Sequence, residues 1–296
     1  MKAIEVNNFY KSFEKNKIIN WIDFFVNKGE IFAYLGTNWS GKTTTIRSLL
    51  NIYSPDSWTL KINWKNTTEI DTSQIGYLPE ERGLYLDMTV AEIMEYFGRL
   101  KKLSKNKAKQ NWLKYLEKVG LENKRNLNIK QLSSGQQQKI QLWICIINSP
   151  EILILDEPWK WLDPLNRKLF IDLFLELKKI WTTILFSSHQ MEDVEKVCDS
   201  LLILKDWKSK AFGNIQDVKK SFGKNTIKLY YQGELPKETN LFAANIEWNY
   251  AEIIPKNNSC SNSIIDYLIN NNIKILNFEY SYPSLNEIFI NIFKNN

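Results

Sequence analysis

Glu30–Gly36 reads EIFAYLG, Thr37–Thr44 reads TNWSGKTT, and Ile152–Pro158 reads ILILDEP. The first is a short apolar run that ends in glycine, as a buried strand does. Gly36-x4-Gly41-Lys42-Thr43 follows it, and residues 41–51 continue as a helical pattern. Strand, glycine-bounded loop and helix in this order match GxxxxGK[ST], a loop that cradles phosphates. Its backbone N–H groups turn toward the phosphate oxygens, and the helix N-terminus adds partial positive charge. Candidate phosphate contacts are therefore Gly36, Thr37, Asn38, Trp39, Ser40, Gly41, Lys42, Thr43 and Thr44. Lys42 supplies a cation and the Thr43 hydroxyl a ligand for Mg²⁺. ILILDEP is an apolar strand that ends in two carboxylates with separate work to do. Asp156 would hold Mg²⁺, and Glu157 would orient or deprotonate an attacking water.

Around these stretches, strand-length runs at 151–156 and 182–187 alternate with helical patterns at 89–102, 107–119, 136–148, 164–179 and 190–198. Strands alternating with helices predict an α/β domain with a mostly parallel sheet. The all-helical stretch 89–148 reads as an insert on that core, opened by the capping box Thr89/Glu92. The pattern resets around 213–225. A strand (226–231), a helix (262–271), a strand (273–280) and a helix capped by Ser284/Glu287 then predict a small second α/β domain over 226–296.

Bulk properties bound the chemistry. The chain has 296 residues, about two domains at roughly 150 residues each. Cys145, Cys198 and Cys260 are odd in number and far apart, which excludes a disulfide framework and a CxxC metal site. His189 is the single histidine, which excludes a multi-histidine metal centre. No apolar run is long enough to span a bilayer, and the first residues lack an apolar signal core, so a cytoplasmic protein is expected. The net charge of +6 is spread along the chain and reads as a solvated lysine-rich surface, with no nucleic-acid partner expected.

A third stretch makes the reading specific. Leu132-Ser133-Ser134-Gly135-Gln136-Gln137-Gln138 precedes a helix and resembles the signature motif of ATP-binding cassette (ABC) proteins. By itself a Ser-Ser-Gly before a helix is only an N-cap. The resemblance implies that Ser133, Ser134, Gly135 and Gln136 grip the γ-phosphate bound to a second ATPase subunit, in a head-to-tail homodimer with two sandwiched ATP molecules. Trp161-Leu162-Asp163 resembles the D-loop, which places Asp163 at the nucleotide, and Ser187-Ser188-His189 resembles the switch-histidine loop. His189 would then hydrogen-bond the γ-phosphate and position the water of Glu157. Phe13 falls where the family stacks an aromatic on adenine. Tyr77-Leu78-Pro79-Glu80 holds the place of the Q-loop, with Glu80 where most members have glutamine; a carboxylate there can still ligate Mg²⁺. YLPEERGLY and Pro283-Ser284-Leu285-Asn286-Glu287-Ile288-Phe289 resemble sodium- and drug-exporter ATPases whose membrane permease is a separate polypeptide.

The resemblance implies a P-loop NTPase fold of the ABC ATPase type: a parallel-sheet core with antiparallel β and helical subdomains, and a small C-terminal α+β domain. Expected boundaries are 1–222 for the ATPase domain, with its helical subdomain at about 86–150, and 223–296 for the accessory domain. It also implies an ATPase with ATP and Mg²⁺, peripheral on the cytoplasmic face of the membrane, that powers transport. The alternatives are a soluble ABC ATPase acting on ribosomes or DNA, and a cassette that binds nucleotide without hydrolysing it. The transported substrate is not legible in this subunit.

One feature conflicts with the motifs. The chain has 11 tryptophans and only 11 glycines. Their sum, 22 of 296 residues, is close to the roughly 7% expected of glycine alone. Trp39 lies inside the phosphate loop and Trp161 in the D-loop, where the family has glycine; Trp21, Trp58, Trp64, Trp181 and Trp207 also fall at family glycine positions. Several stand among turn formers (PDSWT, NWKN, KDWKS), where glycine belongs. The pattern reads as UGA codons translated as tryptophan in a lineage that reads them as glycine, and the abundance of Lys, Asn and Ile suits such an AT-rich genome. A degenerate cassette and a tryptophan-rich binding surface are the competing explanations. Trp112, Trp143, Trp159 and Trp248 are undecided by sequence. Peptide mass spectrometry of the protein from its native cell is expected to give the mass of glycine at position 39; the mass of tryptophan there refutes the reassignment.

Overall fold

The computed structural model describes residues 1–14, 16–54, 56–70, 74–81, 83–222, 226–256 and 261–294; Cys260 lies outside them. The chain forms two compact units, Met1–Asn214 and Ile215–Asn296. Helix α7 (Ile215–Phe222) thus groups with the second unit rather than with the first, as the sequence-based boundary had it.

The first unit is built on strands β3 (Ile31–Gly36), β6 (Ile75–Leu78), β7 (Ile152–Leu155), β8 (Thr183–Ser188), β9 (Ser200–Lys205) and β10 (Lys208–Asn214). They form one sheet in the order β10-β9-β3-β8-β7-β6. All neighbours are parallel except β9 and β10, which form a hairpin. Every residue of β3, β7 and β8 is buried, as expected of strands covered on both faces. A second, antiparallel sheet comes from β1 (Lys2–Phe13), β2 (Asn16–Asn27), β4 (Ser57–Ile62) and β5 (Lys65–Asn66). Ile4, Val6, Ile22 and Phe24 of this sheet join Phe32, Tyr34, Ile154 and Leu185 of the parallel sheet in one core, with helix α1 (Lys42–Leu49) contributing Ile46 and Leu49.

Helices α2 (Val90–Leu100), α3 (Lys105–Lys118) and α4 (Ser134–Ile146) form the insert read from sequence. The capping box at α2 is present: Glu92 N–H donates to Thr89 Oγ1 (3.2 Å), and Thr89 N–H to Glu92 Oε2 (2.8 Å). Helices α5 (Pro164–Lys179) and α6 (Met191–Val197) return the chain to the sheet.

In the second unit, β11 (Thr226–Gln232), β12 (Phe242–Glu247), β13 (Tyr250–Pro255) and β14 (Lys274–Ser281) make an antiparallel sheet in the order β12-β13-β11-β14. Helix α8 (Ser261–Asn270) connects β13 to β14 across β11, and its Ile264 and Leu268 pack on Ile227, Leu229 and Ile253. Helix α9 (Leu285–Lys294) opens with the Ser284/Glu287 box.

The backbone bears directly on the tryptophans. Among the described residues, fifteen that are not glycine have positive φ, and six of them are tryptophan: Trp21, Trp39, Trp64, Trp181, Trp207 and Trp248, with φ from 46° to 67°. A bulky side chain there is an outlier, and each of the six occupies a position with a known use for glycine. Asn63–Trp64 turns β4 into β5 and Asp206–Trp207 turns β9 into β10, with φ positive at both residues. That is the type I′ pattern, which favours Asn-Gly and Asp-Gly. Trp248 opens the turn from β12 to β13, the first central position at which a type II′ turn takes glycine. Trp181 stands one residue past the cap of α5; its N–H donates to Lys178 O (2.9 Å) and Thr182 N–H donates to Leu177 O (3.1 Å), a Schellman ending. Trp21 sits in a bulge of β2, between the pairs Phe9–Ile22 and Lys11–Ile19. Trp39 is in the phosphate loop.

These six rings are 42–98% exposed, whereas Trp112, Trp143 and Trp159 are 0–6% exposed. Trp159 packs against Phe174 and Phe186, with ring centroids 5.0 and 5.4 Å away. Trp161 is not among the positive-φ residues, so only the resemblance places glycine there, as it does at position 58. Strands β5, β10, β12 and β13 were not read from the sequence, although the turns NWKN and KDWKS that precede β5 and β10 were. Trp64→Gly, Trp181→Gly and Trp207→Gly are each expected to keep or raise stability in denaturant unfolding, by up to about 1–2 kcal/mol for relief of left-handed strain. Trp159→Gly is expected to lose about 3–5 kcal/mol.

Candidate nucleotide site

Strands β3, β7 and β8 are parallel neighbours, so their C-terminal ends reach one edge of the sheet. Ligands of open α/β sheets bind at such edges. Gly36 ends β3, Asp156 and Glu157 follow β7, and Ser187 and Ser188 end β8 with His189 next.

Gly41 caps α1 at φ 100°. A Cβ built on it would lie 2.7 Å from Ile18 O and 2.5 Å from Ile19 Cδ1, so this loop position admits only glycine. Thr37, Asn38 and Trp39 are exposed, Ser40 is buried, and Thr43 and Thr44 are half-buried. Lys42 is buried, and Nζ donates to Gly36 O (2.9 Å) and Thr37 O (3.1 Å). Burial lowers its pKa, opposed by Glu157, Asp156 and Glu80. Nζ is 3.7 Å from Glu157 Oε1.

Ser187 joins the two carboxylate residues. Its hydroxyl donates to Asp156 Oδ1 (2.5 Å) and accepts the Glu157 N–H (2.9 Å). Glu157 has φ 50°, an uncommon value for a residue other than glycine. Its Oε2 lies 2.8 Å from His189 Nδ1. Burial raises the Asp156 carboxyl above its usual range, against the hydrogen bond from Ser187 and the nearby Thr43 hydroxyl. Glu80 Oε1 accepts from Lys160 Nζ (2.7 Å).

Asp156 Oδ2 and Glu157 Oε1 are buried without a hydrogen-bond partner. A buried acceptor left unpaired is costly, and oxygen donors of this kind suit a hard divalent cation. Asp156 fits Mg²⁺ on that ground; the Thr43 hydroxyl lies beside it, whereas Glu80 Oε1 is engaged by Lys160. Together the arrangement can neutralise phosphate charge with Lys42 and loop N–H groups, and can hold a water or proton at Glu157, oriented by His189.

The structure therefore brings Lys42, Asp156, Glu157 and His189 together, with Glu80 close enough to affect the charge states of Lys42 and Asp156. Gly36, Thr37 and Thr43 join them, while the signature, D-loop and aromatic candidates make contacts of their own. Ser133 caps α4, accepting from Gln136 N–H (3.3 Å) while Gln136 Oε1 accepts from Ser133 N–H (3.1 Å). Gly135 lies against the Trp161 backbone, and Asp163 caps α5 through Asn166 N–H (2.9 Å). Phe13 is exposed at the end of β1 and meets Tyr53 edge-on at 5.3 Å. Sequence reasoning missed Ser187 and Lys160. The signal for Ser187 was a hydroxyl at a strand end beside a motif histidine.

Residues 19–160 match the ABC transporter family, and residues 213–293 match the C-terminal domain of DrrA1-3-like ATP-binding proteins. The chain is 33% identical over 291 residues to the uncharacterized ABC transporter ATP-binding protein YhaQ of Bacillus subtilis, covering 97% of each chain. It is 32% identical over 214 residues to Nod factor export ATP-binding protein I of Paraburkholderia xenovorans, covering 71% of this chain and 70% of that one. A solved ATP-binding subunit of an ABC transporter superposes with a TM-score of 0.69 at 27% identity, over 75% of this chain and 93% of the other.

Raised acid pKa values imply a fold penalty at neutral pH. The native state holds the Asp156 proton more tightly than the unfolded chain, so stability falls as pH rises above the unfolded carboxyl value toward the folded one. Asp156→Asn is expected to melt at a higher temperature than the parent at pH 7 in Mg²⁺-free buffer, measured calorimetrically, while losing Mg²⁺-dependent hydrolysis.

Proposed function

The chain belongs to the family of ABC transporter ATP-binding proteins, and from that premise we propose that it is the ATP-hydrolysing subunit of an exporter whose permease is a separate chain. The buried Lys42–Asp156–Glu157 cluster, held by Ser187 at the strand ends, is the observation that carries this reading. Export is supported by the relative named for Nod factor export. Among the described residues no helix is long and apolar enough to cross a membrane, which suits a subunit docked on the cytoplasmic face. The unit containing residues 1–214 is the motor and the second unit an accessory.

Lys42 and the loop N–H groups bind the β- and γ-phosphates of ATP. Asp156, Thr43 and Glu80 would hold Mg²⁺, which would supply charge withdrawal from the phosphate oxygens. Glu157 accepts the proton of the attacking water, and His189 Nδ1 keeps its carboxylate in place. Lys42 Nζ, 3.7 Å from Glu157 Oε1, pairs with the same carboxylate. Ser133, Ser134, Gly135 and Gln136 serve a second copy, with Asp163 at the seam, so two chains close over two ATP molecules. An exposed Ser133 at a helix N-terminus is suited to meeting a phosphate from outside the chain.

This motor requires glycine at position 39. Trp39 is 95% exposed with φ 67° in the loop that must approach the phosphates. The six positive-φ positions support reading the exposed set Trp21, Trp39, Trp64, Trp181, Trp207 and Trp248 as glycine. Burial supports retaining tryptophan at 112, 143 and 159. Trp161 joins the glycine set by resemblance.

The Trp39→Gly, Trp161→Gly pair is expected to hydrolyse ATP at least about tenfold faster than the sequence as translated, in a steady-state phosphate-release assay. Equal rates would favour a cassette that tolerates tryptophan, and no turnover in either would favour a non-hydrolysing module. Added to the pair, Glu157→Gln is expected to cut turnover by about 10² or more while ATP still binds. Affinity purification from the native membrane is expected to bring down an integral membrane protein; ribosomes instead would point to the soluble alternative.

A further inference from the structure

Phe13 ends β1 with its ring 40% exposed, and two groups fix it from within the protein. Tyr53 meets it edge-on, with centroids 5.3 Å apart and planes at 80°. Lys11 Nζ stands 5.0 Å over the ring. Each is held in turn by something else. The Tyr53 hydroxyl accepts from Arg47 NH1 of α1 at 2.8 Å, and the Arg47 guanidinium also lies 5.6 Å from the Tyr53 ring centroid. The Asp56 carboxylate accepts from Lys11 Nζ (2.7 Å), Ser12 N–H (2.7 Å) and Ser12 Oγ (2.6 Å). These bonds bridge 44–45 residues of chain. They clamp the last residues of β1 to the segment that follows α1, the helix whose N-terminus carries the phosphate loop.

An exposed aromatic at a strand end has little reason to be so heavily tethered if it only fills space. Fixing the ring costs nothing further when a flat ligand stacks on it, which is the advantage of preorganisation. The same helix carries the phosphate loop at one end and Arg47 in its last turn, so the contacts Phe13–Tyr53–Arg47 end on the element that carries the loop. We propose that Asp56 and Tyr53 are positioning residues that hold Phe13 as a nucleobase shelf at a fixed distance from the phosphate loop. Asp56 acts on the strand backbone and on Lys11; Tyr53 acts on the ring through its T-shaped contact. Neither touches the nucleotide. The inference rests on the reading of Phe13 as the adenine-facing aromatic, and extends it to residues that no motif marks.

The test separates base from phosphate. In the protein carrying glycine at position 39, dissociation constants are measured by calorimetry for ATP and for inorganic tripolyphosphate. The variants are Phe13→Ala, Asp56→Ala, Tyr53→Ala and the Phe13→Ala, Asp56→Ala double. Phe13→Ala is expected to weaken ATP about tenfold, the scale of one base–aromatic stack, with tripolyphosphate unchanged. Asp56→Ala and Tyr53→Ala are expected to weaken ATP several-fold with tripolyphosphate again unchanged, and the double variant to bind ATP no worse than Phe13→Ala alone. Asp56→Ala and Tyr53→Ala that leave ATP affinity intact while Phe13→Ala lowers it overturn the proposal and spare the reading of Phe13. Equal weakening of both ligands assigns Asp56 and Tyr53 to general stability and overturns it too. ATP affinity intact in Phe13→Ala refutes the reading of Phe13 itself.

Discussion

The organising constraint is the burial of one ammonium and two carboxylates at the C-terminal edge of a parallel sheet. Lys42, Asp156 and Glu157 are each at most 6% exposed. Desolvating such groups costs several kcal/mol apiece unless geometry repays it, and the surrounding structure supplies the repayment. Loop carbonyls of Gly36 and Thr37 take two Lys42 protons. Ser187 serves both carboxylate residues at once, which ties the end of β8 to the end of β7. Asp156 Oδ2 and Glu157 Oε1 are left without a hydrogen bond, the latter facing the Lys42 ammonium at 3.7 Å. They face the function, since a site fully satisfied by its own side chains would have nothing left to offer a cation or a water.

That constraint explains why the strands around the site are apolar throughout. A charged cluster is held rigidly only if its supports cannot slide, and β3, β7 and β8 are buried along their entire length. Tyr34 in β3 reaches Thr45 of α1 through its hydroxyl (2.9 Å), so the helix behind the loop is fixed to the strand in front of it. Burial drives the Tyr34 hydroxyl far above its ordinary pKa, which keeps this link a neutral hydrogen bond.

Backbone conformation is the second constraint, and it identifies residues by what they must do. A left-handed residue is needed to close a type I′ hairpin, to end a helix in a Schellman motif and to bring a loop against phosphate. Each need is local and indifferent to the surface chemistry of the side chain. Six tryptophans meeting such needs on the surface, and three others filling apolar interiors, behave as two kinds of residue. A tryptophan-rich binding surface would have no reason to select left-handed backbone.

The short motifs GxxxxGKT, LSSGQ, ILILDEP and SSH were legible in the sequence because each packs a backbone requirement and a reactive group into a few consecutive residues. The alternation of strand and helix gave the α/β class, and the capping boxes at Thr89 and Ser284 gave two helix starts that the structure reproduces. Strands β9, β10, β12 and β13 were not read from the sequence, although KDWKS, which joins β9 to β10, stood out as a turn. The juxtapositions were also out of reach. Ser187 is 31 residues from Asp156, and Asp56 is 44 from Ser12. Sequence determined which residues carry charge and where the chain can turn. Only the tertiary structure decided which of them meet, because strand order in a parallel sheet is set by crossover packing and brings together ends that are far apart along the chain.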